Sequence, residues 1–313
     1  MFQLLANPFG KFKQYTIQNL TGENAFTFVP EFGATLLNLN LGGVSVLDGF
    51  QTPEELENLK WAKSGFLFPF PNRLRDGHYE WQNTSYQFPI NNLPTGNAIH
   101  GFGLRAAYVV ENVRLNEKEA AITLAYHYDG HLPHYPFPFR LNLEMNISSA
   151  QTFELKMSAT NTGSGPIPFE MGWHPYFKLH GSPENWMLKT PELKKVEIDE
   201  RMLPTGEKTG FDYFKNGAKI GETKFDTGFL INQPTDQAEF LIKNEKHELC
   251  FWQNSATGKF NFVQIFIPPM RQSIAIEPMT CNIDAFNNKD GLKILAPNES
   301  LEATCGLVLS QKA

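Results

Sequence analysis

The chain has 313 residues, of which 41% are hydrophobic and 19% charged, a balance typical of a protein that buries a core and one that excludes disorder. Its 27 basic and 33 acidic residues leave a formal charge of −6 without a basic cluster, which argues against a nucleic-acid partner. Residues 1–15 lack the pattern of an export signal, and no apolar run is long enough to span a membrane. We therefore expect a soluble, cytoplasmic protein.

The first predicted element along the chain is a short helix. Thr52 can act as its N-cap, Pro53 suits the first helical position, and Glu55 completes a capping box. The helix is expected to end near Lys60. It is the only strong helix start in the sequence.

Strands dominate the rest of the chain. In residues 152–159, apolar Phe153, Leu155 and Met157 alternate with polar residues, which is the period of a half-buried strand. Similar patterns recur along the sequence. In chain order, the predicted strands are 78–89 (a hairpin turning at 83–84), 108–128 (a hairpin turning near 116–117), 140–147, 152–159, 238–252, 260–267, 273–276 and 301–309.

Many strands without helical patterns between them argue against βαβ units. The sequence therefore predicts an all-β protein, a large antiparallel twisted β-sandwich. Length permits one domain or two, but no Ser/Gly/Pro-rich linker divides the chain, so we expect a single domain over residues 1–313. Three widely spaced cysteines without a Cys-x-x-Cys pair, Cys250, Cys281 and Cys305, are predicted to be reduced core thiols.

Four segments interrupt the alternation with polar residues next to Pro, Gly or aromatic residues, a pattern typical of sites on loops at one face of a sandwich. They are residues 70–73, 96–101, 172–177 and 277–287. Two of them share a local feature, because His174 and Glu277 each precede a proline, which restricts the backbone and hence the side-chain direction. Such restriction suits an acid or base, although a lone histidine or glutamate is more often structural.

In order, these segments read Asn-Arg, Asn-x-x-His-Gly, His-Pro-Tyr-Phe, and Glu-Pro followed by Asp-Ala-Phe-Asn. Residues 135–139 add Tyr-Pro-Phe-Pro-Phe. Together they are similar to the aldose 1-epimerase, or galactose mutarotase-like, family over about residues 25–309. The resemblance implies a twisted super-sandwich with the site on its concave face, and a cofactor-independent enzyme that interconverts the anomers of a free sugar.

The resemblance also implies roles for particular residues. His174 matches the family's general acid at the ring oxygen, and Glu277 matches its general base at the anomeric hydroxyl. His100 and Arg73 match groups that bind and polarise the sugar near the same oxygen. Asp226 corresponds to an acceptor of a sugar hydroxyl, a match that rests on one residue.

Two further residues are expected to bind the substrate. Asn72 belongs to the Asn-Arg motif, and Trp173 precedes the acid histidine. Trp173 and Trp61 could each stack on the apolar face of a pyranose, and each could instead pack in the core.

The chemistry agrees with these roles. Mutarotation removes a proton from the C1 hydroxyl and delivers one to the ring oxygen. An imidazole with a reference pKa of about 6.5 and an ionised carboxylate can do both, so no metal or cofactor is expected. We expect His174 to be protonated in the competent form, favoured by a nearby carboxylate such as Glu277 or Asp226.

The sequence does not determine which sugar is the substrate. Galactose mutarotases usually have Ser or Thr after the acid histidine, whereas this chain has Pro175, which puts a preference for galactose in doubt. A neighbouring subfamily is similar to hexose-6-phosphate 1-epimerases, and Arg73, Arg75 and Arg105 keep that alternative open. The implied partner is a small-molecule sugar, and the protein could be a monomer or a homodimer.

Other classes of protein are possible. A non-catalytic carbohydrate-binding protein of the same fold would lack an acid or a base, and a glycoside hydrolase would need two carboxylates beside the scissile bond. The spacing of His127, His131 and His134 could suit zinc, but Gly130 and Pro133 predict an irregular hairpin tip with solvated histidines. We therefore predict no metal site there.

Overall fold

The computed structural model describes residues 1–311, which form twenty-eight strands and two short helices. The first ten strands are β1 (Phe2–Phe9), β2 (Phe12–Asn19), β3 (Ala25–Val29), β4 (Thr35–Leu41), β5 (Val44–Ser45), β6 (Gly65–Leu67), β7 (Arg73–Leu74), β8 (His78–Trp81), β9 (Thr84–Gln87) and β10 (Ala98–Ile99). The next nine are β11 (Val109–Leu115), β12 (Glu119–Tyr128), β13 (Phe139–Ser148), β14 (Thr152–Asn161), β15 (Ile167–Pro168), β16 (Gly172–His174), β17 (Tyr176–Phe177), β18 (Met187–Lys189) and β19 (Leu193–Ile198).

The last nine strands are β20 (Pro204–Phe211), β21 (Ala218–Lys219), β22 (Asp226–Ile231), β23 (Ala238–Lys243), β24 (His247–Gln253), β25 (Phe262–Phe266), β26 (Ile274–Met279), β27 (Ile294–Leu295) and β28 (Ser300–Gln311). The helices are α1 (Pro53–Asn58) and α2 (Ala285–Asn288). Single 3₁₀ turns occupy Lys60–Ala62, Arg75–Gly77, Gly103–Arg105 and Pro183–Asn185.

Three large sheets organise these strands. A nine-stranded sheet has the order β11-β12-β13-β14-β28-β24-β23-β18-β21. An eight-stranded sheet has the order β20-β19-β22-β25-β26-β16-β6, with β17 also paired to β26. A five-stranded sheet, β1-β2-β3-β4-β5, precedes both in the chain. Neighbouring strands in all three run antiparallel, which confirms the predicted all-β antiparallel architecture.

The nine-stranded and eight-stranded sheets pack face to face. The rings of Phe153 on β14 and Trp173 on β16 lie 6.3 Å apart, and those of Phe177 on β17 and Phe251 on β24 lie 5.1 Å apart. All four side chains are buried, and each contributes roughly 1.5 to 3 kcal/mol by leaving water. One face of the eight-stranded sheet is therefore committed to the core, and only its other face can hold a ligand.

Most predicted strands occur where the alternation places them. The hairpins at 78–89 and 108–128 are β8-β9 and β11-β12. Residues 238–252, predicted as one strand, form instead the hairpin β23-β24. The side-chain oxygen of Asn244 accepts hydrogen bonds from the backbone N–H groups of Lys246 and His247, and this local bonding fixes the turn.

The predicted helix is confirmed by α1. The hydroxyl oxygen of Thr52 accepts a hydrogen bond from the backbone N–H of Glu55 at 3.2 Å. In return, the carboxylate of Glu55 accepts one from the backbone N–H of Gln51 at 2.8 Å. The helix ends at Asn58, slightly before the predicted end, because Leu59 adopts a left-handed conformation.

The three cysteines are free, as predicted. Cys281 and Cys305 are buried in the core, whereas Cys250 is only partly buried. Over residues 1–311, no helix has the length and apolar character that crossing a membrane requires.

The histidine-rich loop does not gather its side chains around one point. His131 contacts Asp129 at 2.5 Å, His127 lies 3.7 Å from Glu111, and the ring of His134 packs on Phe88. Within the described part of the chain, no group of three or more His, Cys, Asp or Glu side chains could hold a metal ion.

Candidate active site

The pleat of the eight-stranded sheet decides which side chains face away from the core. Glu277 on β26 lies directly opposite Gln264 on β25, so both project to the same face. Ile274 and Ile276 occupy the alternate positions of β26 and are fully buried in the core. Because β26 pairs with β16 and β17, alternate side chains of those two strands project to the same face as Glu277.

Trp173 and His174 are consecutive in β16, so the pleat sends them to opposite faces. Trp173 is 0% exposed and stacks on Phe66 with ring centroids 6.4 Å apart, inside the core between the sheets. The predicted contact between Trp173 and the sugar is therefore wrong. His174 takes the opposite face, where its ring stacks on Tyr176 at 5.1 Å.

His174 and Glu277, 103 positions apart in the chain, come into contact on this face. The Nε2 atom of His174 lies 3.4 Å from the Oε2 atom of Glu277. Their side chains are only 8% and 2% exposed. The sequence pattern suggested that both residues lie on loops, but each belongs to a short strand of the eight-stranded sheet, which fixes it more rigidly.

A two-stranded ladder, β7 with β10, adds His100 to the site. His100 follows β10 in a left-handed conformation (φ 67°), and its backbone N–H donates to the carbonyl of Asn72. Its Nδ1 atom lies 2.8 Å from the carbonyl oxygen of Pro71, which can only accept, so Nδ1 carries the proton and Nε2 is left for a ligand. The ring lies 5.3 Å from that of His174.

Steric contacts require a glycine at position 101, directly after His100. A Cβ atom on Gly101 would lie 2.0 Å from the carbonyl oxygen of Phe68, and the residue adopts φ 59°. Only glycine fits such an approach in this conformation. The His-Gly pair of the motif therefore holds the imidazole against the wall of the site.

Arg73 is a buried cation without a salt bridge to any described carboxylate. Its Nη1 atom donates to the side-chain oxygen of Asn72 at 3.3 Å, its Nη2 atom donates to the sulfur of Met202 at 3.1 Å, and its Nε–H has no partner. Burial lowers the pKa of Arg73, while the charges of Asp226 and Glu277 oppose that shift. An incompletely paired guanidinium of this kind can bind the oxygen atoms of a ligand.

Gln264 connects the remaining polar groups. Its amide nitrogen donates to a carboxylate oxygen of Asp226 at 2.8 Å, and its amide oxygen accepts from the side chain of Asn72 at 3.4 Å. Gln264 was not among the site residues expected from the sequence. Its signal was a single polar residue inside the apolar run of β25, since a buried polar side chain is more informative than a buried apolar one.

These side chains surround one cavity of about 310 Å³, which we call the site cavity. Small-molecule sites typically enclose about 300 to 1,000 Å³. The polar lining consists of Asn72, Arg73, Asn91, Asn92, His100, His174, Asp226, Gln264 and Glu277, and the aromatic lining of Trp61, Tyr176 and Phe266. A larger groove of about 520 Å³ at residues 189–192 and 233–241 contains no histidine, so it lacks this chemistry.

Burial controls the protonation of the central pair. It lowers the pKa of His174 well below its ordinary value, and the neighbouring His100 lowers it further. Burial and the charge of Asp226 raise the pKa of Glu277 well above its ordinary value, with Arg73 opposing. Desolvation, and not the attraction of a nearby carboxylate that was expected from the sequence, is the largest influence on the pKa of His174.

His100 differs from His174 in its hydrogen bonding. Burial lowers the pKa of His100 to about 4, although the hydrogen bond to Pro71 acts in the opposite direction. His100 is therefore neutral near pH 7, with one fixed tautomer. It can accept a hydrogen bond through Nε2, whereas the contact between His174 and Glu277 can exchange a proton.

The fold and this site define the class of the protein as an antiparallel β-sandwich with a buried imidazole–carboxylate pair suited to acid/base chemistry on a small polar molecule. The description "aldose 1-epimerase" belongs to the family model that matches residues 13–307. The chain belongs to the aldose 1-epimerase family.

Individual proteins are similar to this chain over most of its length. The uncharacterized protein YihR of Escherichia coli strain K12 is 25% identical over 297 residues, 90% of this chain and 92% of that protein. A galactose mutarotase-like protein from Clostridium acetobutylicum has a similar structure, with a TM-score of 0.88, 22% identity and 99% coverage of both chains. The galactose 1-epimerase from Lactobacillus acidophilus has a TM-score of 0.83 and 17% identity, with 100% of this chain and 99% of that chain covered. The two structures show a shared fold.

Three arginines left a phosphorylated sugar possible as the substrate: Arg73, Arg75 and Arg105. They do not lie together in the structure. Arg75 lies 3.5 Å from Asp284, and Arg105 donates to the backbone of Glu57 and covers the ring of Phe32. Neither lines the site cavity, which contains only Arg73 among these three arginines. Arg73 is therefore the one arginine of these three that a ligand in the site cavity would meet.

Proposed function

We propose that the protein is an aldose 1-epimerase that interconverts the α and β anomers of a free hexose by opening and reclosing its ring. The observation that carries this proposal is the 3.4 Å contact between His174 and Glu277 inside a small cavity. The ring oxygen and the anomeric hydroxyl of a pyranose are bonded to the same carbon. An acid and a base that serve both atoms must therefore converge, as this pair does.

In the proposed reaction, the carboxylate of Glu277 takes the proton of the C1 hydroxyl while the imidazolium of His174 gives a proton to the ring oxygen. The bond between C1 and the ring oxygen breaks, and C1 becomes an aldehyde. Rotation about the C1–C2 bond presents the other face of the aldehyde, and reversal of the proton transfers closes the ring. No electron is gained or lost, so no redox cofactor is needed.

The pKa shifts favour the open-chain stage of this reaction. Before opening, the pair carries an imidazolium and a carboxylate, and after opening it carries an imidazole and a carboxylic acid. Burial raises the pKa of Glu277 and lowers that of His174, so it stabilises the second arrangement relative to the first. We infer that burial of this pair lowers the free energy of the bound aldehyde relative to the closed sugar.

The surrounding groups would hold the sugar. In this proposal, the guanidinium of Arg73 and the Nε2 atom of His100 bind oxygen atoms near C1, and Asp226 accepts a hydrogen bond from a ring hydroxyl. Hydrogen bonds from Gln264 restrain Asp226. Because these groups are held before the sugar arrives, less ordering is required on binding.

Proton NMR or polarimetry on freshly dissolved sugars tests the proposal. We expect the protein to accelerate anomeric equilibration of α-glucose or α-galactose, and to act more weakly on glucose 6-phosphate because only one arginine lines the cavity. Equal rates with and without protein for every free hexose would refute the proposal and favour a carbohydrate-binding protein without turnover. A marked preference for the 6-phosphate would favour the phosphate-sugar alternative.

A further inference from the structure

The turn between β19 and β20 contacts the guanidinium of Arg73 from outside the site cavity. Residues 199–203 form this turn, and none of these described residues lines that cavity. The sulfur of Met202 accepts a hydrogen bond from the Nη2 atom of Arg73 at 3.1 Å. The side-chain oxygen of Asn72 accepts one from the Nη1 atom at 3.3 Å. The guanidinium is therefore held at both of its terminal nitrogens.

The turn folds tightly around Asp199. One carboxylate oxygen of Asp199 accepts hydrogen bonds from the backbone N–H groups of Arg201 and Leu203, each at 2.9 Å. The backbone N–H of Met202 donates to the carbonyl oxygen of Asp199 at 2.9 Å, and Met202 adopts a left-handed conformation with φ 60°. Such a conformation is costly for a residue other than glycine and persists where surrounding contacts enforce it. The turn therefore fixes the direction in which the Met202 side chain leaves the backbone.

Arg201 anchors the same turn to the ladder of β7 and β10. Its Nε atom donates to the carbonyl oxygen of Thr95 at 3.0 Å. Its Nη2 atom lies 3.1 Å from the carbonyl oxygen of Gly96 and 2.7 Å from a carboxylate oxygen of Asp76. In return, the side-chain nitrogen of Asn97 donates to the carbonyl oxygen of Arg201 at 3.1 Å. Because these partners follow β7 or precede β10, the turn is held at one end of the ladder that carries Arg73.

The acceptor that Met202 offers is uncharged. A thioether sulfur is a weak acceptor, so it can orient a guanidinium without neutralising it. The amide oxygen of Asn72 is uncharged as well, and both acceptors leave the positive charge of Arg73 available to a ligand. A carboxylate in place of the sulfur would form a stronger, charge-assisted hydrogen bond and would compete with a ligand oxygen.

We propose that Met202 is a positioning residue for Arg73, which directs the guanidinium toward a sugar oxygen in the site cavity and leaves its charge uncompensated. The influence of Met202 on the sugar passes through Arg73. This inference rests on the proposed function, in which Arg73 binds an oxygen atom near C1. It gives a role in the site to a turn at the end of two distant strands.

Three variants of Met202 test the proposal through kcat/KM for anomer interconversion of glucose and galactose. Met202→Gln and Met202→Glu have the same shape, but only the second offers a charge. A neutral sugar is not repelled by that charge, so an effect on the sugar must pass through Arg73. We expect Met202→Gln to stay within about threefold of the wild type and Met202→Glu to be about tenfold lower than Met202→Gln. Met202→Leu lacks an acceptor, so its kcat/KM should also fall below that of Met202→Gln.

Urea unfolding separates positioning from a structural role. The carboxylate of Met202→Glu can pair with Arg73, so this variant should be at least as stable as Met202→Gln although it is less active. The matched control is Met187→Glu beside Met187→Gln, because Met187 is 40% exposed on β18 of the other large sheet. These two control variants should have equal kcat/KM values.

Two results overturn the inference while leaving the epimerase function intact. One is equal kcat/KM in Met202→Glu, Met202→Gln and Met202→Leu. The other is a loss of activity in Met202→Glu that is matched by a loss of stability, which would show a structural role only. Inactivity of the wild type on both sugars refutes the epimerase function, and this inference with it.

Discussion

Trp173 and His174 are neighbours in β16, yet one side chain lies in the core between two sheets and the other lies against Glu277 in the site cavity. The pleat of a strand enforces this separation. Packing of the tryptophan therefore fixes the strand that positions the histidine, although the indole itself cannot reach a ligand.

Replacement of Trp173 by leucine should affect stability and leave sugar affinity nearly unchanged. Trp173 is fully buried, and loss of most of its ring should lower the free energy of unfolding by about 2 to 4 kcal/mol. The matched variant is Trp61→Leu, because Trp61 lines the site cavity. That variant should raise KM with a smaller loss of stability. Urea unfolding and steady-state kinetics measure both effects, and a raised KM in Trp173→Leu alone would contradict this assignment.

The pH dependence of kcat/KM should be bell-shaped, since the working pair holds one proton between His174 and Glu277. Addition of a second proton inactivates the base, and the lowered pKa of His174 places this acid limb below pH 6.5. Loss of the remaining proton leaves no acid, and the raised pKa of Glu277 places this basic limb well above pH 4.5. Rates are measured from pH 4 to 10 with the uncatalysed rate subtracted. An acid limb at or above pH 6.5 would be inconsistent with the buried pair.

The two histidines should respond differently to substitution. His100→Asn keeps a residue that tolerates the left-handed conformation but removes the imidazole, so kcat/KM should fall about tenfold with both pH limbs retained. The acid limb should move slightly toward neutral pH, because His100 no longer lowers the pKa of His174. His174→Asn removes the proposed acid and should lower kcat by about a hundredfold or more. Both variants are assayed over the same pH range. Loss of a pH limb in His100→Asn with an unchanged profile in His174→Asn would reverse the two roles.

Glu170 gives a test of buried charge outside the site. It is fully buried, accepts hydrogen bonds from the hydroxyl of Thr280 and the backbone N–H of Lys293, and burial raises its pKa to about 8. In the unfolded chain it ionises near its ordinary pKa of 4.5. Between those two values the folded state holds the proton more tightly, so this stabilisation is complete below pH 4.5 and is lost as pH rises through 8.

The matching variant is Glu170→Gln, which resembles the protonated acid at every pH. From pH 5 to 9, the free energy of unfolding should fall more in the wild type than in Glu170→Gln, by at least about 1.4 kcal/mol, the equivalent of one pKa unit. Guanidinium unfolding at several pH values measures the difference. Parallel curves for the two proteins would show that the ionisation of Glu170 does not govern stability.

The sequence predicts strands well where one face is buried and the other is solvated. In β13 and β14, burial alternates residue by residue, and both strands were predicted. The five-stranded sheet of residues 2–45 was not predicted, because β1 has no clear alternation and β3 is buried on both faces. The short strands β6 and β16 are buried on both faces, so they show no period of two that a sequence could reveal.

Most residues of the candidate site, but not all, were also predicted from the sequence. Resemblance to a family selected His174, Glu277, His100, Arg73, Asn72 and Asp226, all of which line the site cavity. It could not exclude Trp173, since the face taken by each residue of β16 depends on the register of that strand with β26. It also missed Gln264, whose role depends on the pairing of β25 with β22 and β26.

In the proposed reaction, Glu277 removes the proton of the anomeric hydroxyl. Glu277→Gln keeps the shape of the side chain and cannot act as a base. Exchange NMR on an equilibrated hexose measures interconversion of its anomers, and calorimetric titration with the same sugar measures binding. We predict that the variant loses interconversion by about a hundredfold or more while sugar binding is partly retained. A variant that binds the sugar and keeps most of the wild-type rate would show that Glu277 is not the base.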